Sequence, residues 1–181
     1  MGRRVSSNSN NVISNSISQE IASKITSSNS QYINGKTFDV FEYVESEPNI
    51  ILRVEALGDN ISGYIEKDSD AGKFIIVINK NHTPLRQRFT LAHELGHYYI
   101  HKDKLEGQHT DVTLFRDANE DSLGIEYAAN DFAAELLIPA EAFKDAIKKG
   151  INTPKQLSTI FQVTEKAIMY RAYKLGIIKS F

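Results

Sequence analysis

His93-Glu94-Leu95-Gly96-His97, the pattern H-E-x-x-H, is the stretch around which the rest of the chain reads. In a helix, histidines four apart sit one turn apart on one face, so both imidazoles can reach one point about 2 Å from each ring nitrogen, as zinc requires. Glu94 falls on the adjacent flank, where a carboxylate can hold and deprotonate a water without itself being a ligand. The flanks suit a helix. Pro84 stands where a first turn tolerates proline, and neither proline nor a β-branched run interrupts Leu85 to His101.

Two histidines at this spacing also occur on ordinary amphipathic helices, so a third ligand decides between the readings. Structural zinc sites are closed by four protein side chains, usually with sulfur among them. The chain has no cysteine, which favours three protein ligands and one open position. Downstream, Glu126 to Pro139 winds with Ala129, Phe132, Ala133, Leu136 and Leu137 on one apolar face. Asp131 and Glu135 fall on the opposite side, expected to face solvent. Glu126 and Asn130 fall on the apolar side, and a carboxylate there is costly unless it is paired or binds metal. Glu126 is therefore the candidate third ligand, the bland alternative being a wet first-turn residue or one paired with an arginine. Asn130 reads either as a support for the ligands or as a buried amide bonded to backbone. His101 lies roughly 12 Å along the axis from His93, too far for both to hold one ion. It reads as a residue meeting the helix C-terminus, or as an outer support.

A chain of 181 residues fits one domain with a small appendage, and 41% hydrophobic with 24% charged residues is ordinary for a globular protein. A net charge of −2 argues against a surface built throughout for nucleic acid. No apolar run reaches about 18 residues, so no membrane span is expected. Arg3-Arg4 is followed by serine and asparagine rather than an apolar stretch, against a secretory signal. Together with the absence of cysteine, this makes the cytoplasm the expected location. Charge is uneven. Lys102 to Glu141 carries ten acids against three bases, whereas Lys144 to the end carries eight bases against two acids.

Half of the first thirty residues are serine or asparagine, which predicts a tail over residues 1–30, loose to about Asn11. Ile13, Ile17, Ile21 and Ile25 recur every four residues and predict a short docked helix after it. Thr37 reads as the N-cap of a helix running to about Ser46, with Phe38, Phe41 and Val44 inward. Three strands follow, Ile50 to Leu57, Ile61 to Glu66 and Phe74 to Asn79, separated by turn-forming stretches. The last is almost continuously apolar. It is either a core strand or an edge to which an extended peptide could add beside the metal. Lys102 to Asp121 reads as a long polar loop over the site, with His109 exposed. After a short helix from Glu141 to Lys149, Pro154 to Leu175 has the layout of a helix-turn-helix with Leu157, Ile160, Val163, Ala167 and Ile168 as its core. Its second helix carries Lys166, Arg171 and Lys174. That is either a DNA-recognition helix or a hairpin packed on the body, and three bases are few for phosphate binding. The expected organisation is the tail over 1–30, a metallopeptidase domain over 31–150 and the helix-turn-helix-like segment over 151–181.

The stretch Arg86-Gln87-Arg88-Phe89-Thr90-Leu91-Ala92-His93-Glu94-Leu95-Gly96-His97, then His101, then Glu126 with Ala129-Asn130-Asp131-Phe132-Ala133-Ala134-Glu135-Leu136-Leu137-Ile138-Pro139, resembles the ImmA/IrrE family of zinc metallopeptidases. The similarity runs from roughly Thr37 onward and leaves the serine-rich start uncovered. It implies an α+β, zincin-like core, with the three-stranded sheet packed on the H-E-x-x-H helix and a helical C-terminal part. It also implies a bacterial or prophage-borne endopeptidase that cleaves a helix-turn-helix repressor and so regulates transcription. By the same resemblance His93, His97 and Glu126 take the places of Zn²⁺ ligands and Glu94 that of the general base. Ala128 departs from the pattern, since many relatives carry a second glutamate there. The oxyanion stabiliser stays open among His82, His109 and Tyr98. The competing reading is a non-proteolytic regulator, or a toxin–antitoxin component, that binds a repressor or DNA through its C-terminal helices.

Overall fold

The computed structural model describes residues 7–68, 72–102, 108–112 and 120–180. In chain order it contains helix α1 (Ser7–Ser28), a hairpin of β1 (Ile33–Asn34) and β2 (Thr37–Phe38), and α2 (Val40–Ser46). Strands β3 (Ile50–Glu55), β4 (Ile61–Lys67) and β5 (Phe74–Asn79) follow, then α3 (Pro84–His101), β6 (Gln108–Val112), α4 (Glu120–Leu137), α5 (Ala140–Lys148), α6 (Pro154–Phe161) and α7 (Glu165–Lys174). The architecture is α+β, with a four-stranded sheet where three strands are expected from sequence. Its order is β3-β5-β4-β6, parallel between β3 and β5 and antiparallel across β5-β4 and β4-β6.

All six residues of β5 are buried, which its unbroken apolar run requires. With β3 on one side and β4 on the other, β5 has no free edge. The suggestion that Phe74–Asn79 receives a peptide is thereby corrected. The extra strand, β6, lies inside the stretch read as a loop. Gln108-His109-Thr110-Asp111-Val112 lacks the apolar density that marks a strand, and its pairing comes from β4 rather than from its own composition. Residues 103–107 and 113–119 of that expected loop, and the side chain of His109, lie outside the described residues.

Further corrections concern the N-terminal part. Helix α1 begins at Ser7, earlier than the serine and asparagine content suggests. Its inward side carries Ser18, Ala22 and Ile25 with Ile21 packed partly buried beside them, whereas Ile17 is 45% exposed, so the isoleucine stripe docks at Ile21 and Ile25 but not at Ile17. The cap of α2 is Asp39, whose Oδ1 accepts from Glu42 N at 3.1 Å; Thr37 instead belongs to β2 and donates to Asn34 O. Asn34-Gly35 is the turn signal for that hairpin, with Gly35 at φ 64°.

The sheet lies against α3, and α3 lies against α4, which α1 and α7 flank in turn. Two glycines set these spacings. A Cβ on Gly63 of β4 would stand 2.7 Å from Thr90 Cγ2 and 2.7 Å from Val77 O, so the sheet meets α3 closely there. A Cβ on Gly96 of α3 would stand 3.1 Å from both Ala129 Cα and Phe132 Cδ1 of α4. The first of these is backbone and cannot swing aside. The C-terminal hairpin forms as its spacing predicts. Thr153 and Gln156 make a capping box with Pro154 in the first turn, Gln162 takes the left-handed conformation at φ 51°, and Thr164 caps α7.

A branched side chain at Gly96 must push α3 and α4 apart. Gly96→Val is expected to lower unfolding stability by about 2–3 kcal/mol, beyond anything gained from helix propensity. Urea denaturation followed by circular dichroism checks this, and an unchanged midpoint would mean that the close approach is not required.

Candidate metal centre

On α3, His93, Glu94 and His97 are buried, with 4%, 0% and 0% exposure. The two imidazoles face each other through Nε2 atoms 3.0 Å apart. Glu126, in the second turn of the described α4 helix, reaches across. Its Oε2 lies 3.1 Å from His93 Nε2 and its Oε1 3.4 Å from His97 Nε2. One donor atom from each residue therefore lies within 4.8 Å of the others, and among the described residues no other such group of His, Cys, Asp or Glu occurs.

These distances can be tested against an ion. Donors held about 2.0–2.2 Å from one centre at tetrahedral angles stand roughly 3.3–3.6 Å apart, close to the three separations seen here. The chemistry of the donors agrees. His93 Nδ1 lies 3.1 Å from Asn130 Oδ1, an acceptor, which assigns the ring proton to Nδ1 and turns the lone pair of Nε2 inward. That lone pair, a second imidazole and a carboxylate converge out of water, and a shared cation satisfies all three at once. The residues fit a divalent metal.

Glu94 is placed differently. It follows His93 around the helix toward the sheet, where a Cβ on Gly63 would stand 3.6 Å from its Oε1. Its carboxylate thus lies where α3 meets β4, beside the donor cluster and not within it. A side chain at position 63 would crowd this place, and the sequence offers no signal for that requirement apart from the glycine itself.

Asn130 is brought to the site as a support, one turn beyond Glu126. His101 is buried with its ring centroid 5.5 Å from that of His97, but it contributes no donor to the cluster. Tyr98 packs its ring on Phe74 with centroids 5.1 Å apart, and its hydroxyl lies beside Asn49. His82 is half-buried ahead of α3, where its carbonyl accepts from Gln87 Nε2 at 2.8 Å. The apolar cavity of about 280 Å³ lined by Ile33, Phe38, Leu136 and Pro139 is not this site. Leu136 is ten residues along α4 from Glu126, roughly 15 Å by helical rise.

The outer face of α4 overturns another expectation. Asp131 is 1% exposed, accepting from Tyr170 Oη at 2.6 Å and pairing with Lys174 Nζ at 2.8 Å. Glu135 pairs with Arg171, which is itself 1% exposed. Both acids were expected in solvent because a single helix gives no notice of a neighbour on its polar side. The acids on α4 and the bases on α7 are the only sign in the sequence that α7 docks there.

Comparison with known proteins places this geometry. Residues 48–173 match the family model for the IrrE N-terminal-like domain (Peptidase_M78). Metallopeptidase ImmA of Bacillus subtilis is 27% identical over 145 residues, covering 77% of this chain and 78% of that protein. The radiation response metalloprotease IrrE of Deinococcus deserti is 30% identical over 113 residues, 59% of this chain and 37% of that protein. A Mycobacterium tuberculosis transcriptional regulator shares the fold with a TM-score of 0.62 at 15% identity, over 86% of this chain and 46% of that one. The chain thus spans less than half of the latter two proteins. No described helix is long and apolar enough to cross a membrane. With the matched segment taking in both α3 and α4 and their buried His-His-Glu group, the chain belongs to the ImmA/IrrE family of metallo-endopeptidases.

Proposed function

We propose that this chain is a zinc-dependent endopeptidase that cleaves a helix-turn-helix repressor in the cytoplasm and so relieves repression, as in prophage or stress regulation. His93, His97 and Glu126 hold the metal and Glu94 is the general base. The observation that carries this reading is the buried convergence of two imidazoles and one carboxylate from separate helices. The absence of sulfur among them favours zinc in a hydrolytic site over a structural one.

Bound zinc would supply Lewis acidity, lowering the pKa of a water and polarising the scissile carbonyl. Glu94 takes a proton from the attacking water as its oxygen bonds to the carbonyl carbon. The same carboxyl then gives that proton to the amide nitrogen as the C–N bond breaks. Asn130 fixes the tautomer and orientation of His93 throughout. An extended substrate segment pairs with the outer edge of β6, the strand adjoining β4, which itself lies beside Glu94. Pairing of this kind asks for an unfolded or extended stretch of the repressor.

Two expectations follow. Glu94→Gln keeps the donor set intact, so it should retain one zinc per chain while cleavage of the repressor falls about 10²–10⁴-fold. Elemental analysis and gel-based cleavage of a purified helix-turn-helix repressor, taken first from any gene adjacent to that of this chain, check both at once. Retained cleavage assigns the base elsewhere, and bound zinc with an intact repressor under wild-type enzyme favours the non-proteolytic regulator. Glu126→Gln should weaken zinc binding by more than about 100-fold in a chelator competition, since a ligand counts for more than its supports. Unaltered affinity would remove Glu126 from the donor set.

A further inference from the structure

We propose that the C-terminal hairpin, α6 with α7, is a clamp that sets the positions of α3 and α4 and thereby the metal donors, with Arg171 and Arg88 as its positioning residues. The inference rests on the metal-binding reading of His93, His97 and Glu126, and goes beyond it.

Two buried arginines tie the hairpin to the two donor helices. From α7, Arg171 pairs with Glu135 in the last turns of α4, and its Nε donates to Ile138 O at 2.9 Å just past the end of that helix. From α3, Arg88 Nε donates to Gln162 O at 3.0 Å, in the turn between α6 and α7, while its Nη2 donates to Phe38 O at 3.0 Å. The hairpin therefore grips α4 through one guanidinium and α3 through the other. Gln162 is in the left-handed conformation, which gives the carbonyl that Arg88 uses a fixed direction.

The grip on α4 has more than one point. Asp131, buried between Tyr170 and Lys174, lies one turn before Glu135 and next in sequence to Asn130. Asn130 and Glu126 project toward α3 from the same helical rod that Asp131, Glu135 and Ile138 O fasten to α7. A rotation of α4 about its axis moves both sets together. With donor atoms about 6 Å from the axis, a turn of roughly 10° shifts Glu126 and Asn130 by about 1 Å, enough to spoil a metal site. Burial first, and the Asp131 anion second, push the Tyr170 hydroxyl well above its usual range, so it stays a donor to Asp131. Both arginines replace solvent with several fixed acceptors, which fits registration of the helices better than general cohesion.

The test uses the full chain carrying Arg171→Met, with Tyr173→Ala on the exposed side of α7 as control. Circular dichroism sets a temperature at which each variant is folded. Zinc affinity is then read by competition with a chromophoric chelator, and the His93 tautomer by imidazole ¹⁵N spectra of the zinc-free protein. Arg171→Met is expected to bind zinc at least about 10-fold more weakly and to lose the Nδ1–H preference of His93, with Arg171→Lys recovering part of both. Tyr173→Ala should change neither. Should Arg171→Met not fold, Tyr170→Phe, which deletes one hydroxyl, is expected to show the same two changes in smaller measure. Folded variants with wild-type zinc affinity and an unchanged His93 tautomer would overturn the clamp. A wild-type chain that binds no zinc would instead overturn the metal reading, and the tautomer would then decide the clamp alone.

Discussion

Everything at the centre depends on how closely α3 and α4 approach. Two imidazoles and a carboxylate must meet away from water, and a carboxylate held there without a cation would cost several kcal/mol. Glu126 reaches across only because α4 lies almost against the backbone of α3, at the one position in H-E-x-x-H that carries no side chain. Gly96 meets Ala129 and Phe132 of α4, and these lie one to two turns from Glu126 on neighbouring flanks of the same helix. The alanines of α4, Ala128, Ala129, Ala133 and Ala134, are all buried, so the helix can be surrounded at short distance on several sides. The x of the motif is thus a packing requirement, while the histidines beside it are a chemical one.

The same economy governs the sheet. Gly63 lets β4 lie on α3 beside Thr90 and Glu94, so no side chain from position 63 crowds the Glu94 carboxylate. Asn79, at the end of β5, is fully buried and gathers the β3–β4 connection, with its Nδ2 donating to Ile61 O at 2.8 Å and its Oδ1 accepting from Asn81 N at 3.0 Å. That amide fixes where β4 begins, and hence where Gly63 falls over the helix.

What could be read from the sequence divides along a physical line. Local signals were legible: the one-turn spacing of His93 and His97, the apolar run of β5, the helix-turn-helix spacing from Pro154 to Leu175, and the placing of Glu126 and Asn130 on one flank of α4. Features that exist only between elements were not. β6 owes its strand conformation to β4, and the burial of Asp131 and Glu135 is due to α7 arriving on a face that is polar by any helical wheel. Ile17 points outward although its spacing matches Ile21 and Ile25, because α1 turns its small residues, Ser18 and Ala22, toward its neighbours. Periodicity finds a stripe, but which stripe is covered depends on the size of the space available.

The hairpin shows the consequence for function. A helix-turn-helix that binds DNA needs its second helix to offer cations to phosphates, and each contact released to salt is worth about one unit of the salt slope. Of the three bases on α7, Arg171 is buried against Glu135 and Lys174 is paired with buried Asp131; Lys166 is the exposed one. One lysine neutralising one phosphate would lose only about threefold in affinity between 50 and 200 mM salt, which is the signature of a feeble electrostatic anchor. The exposed surface of α7 instead includes Tyr173, with Tyr127 of α4 also exposed and close enough to influence Tyr170. With Arg171 and Lys174 both turned onto the acids of α4, most of the charge of α7 serves to hold the helix to the body of the protein.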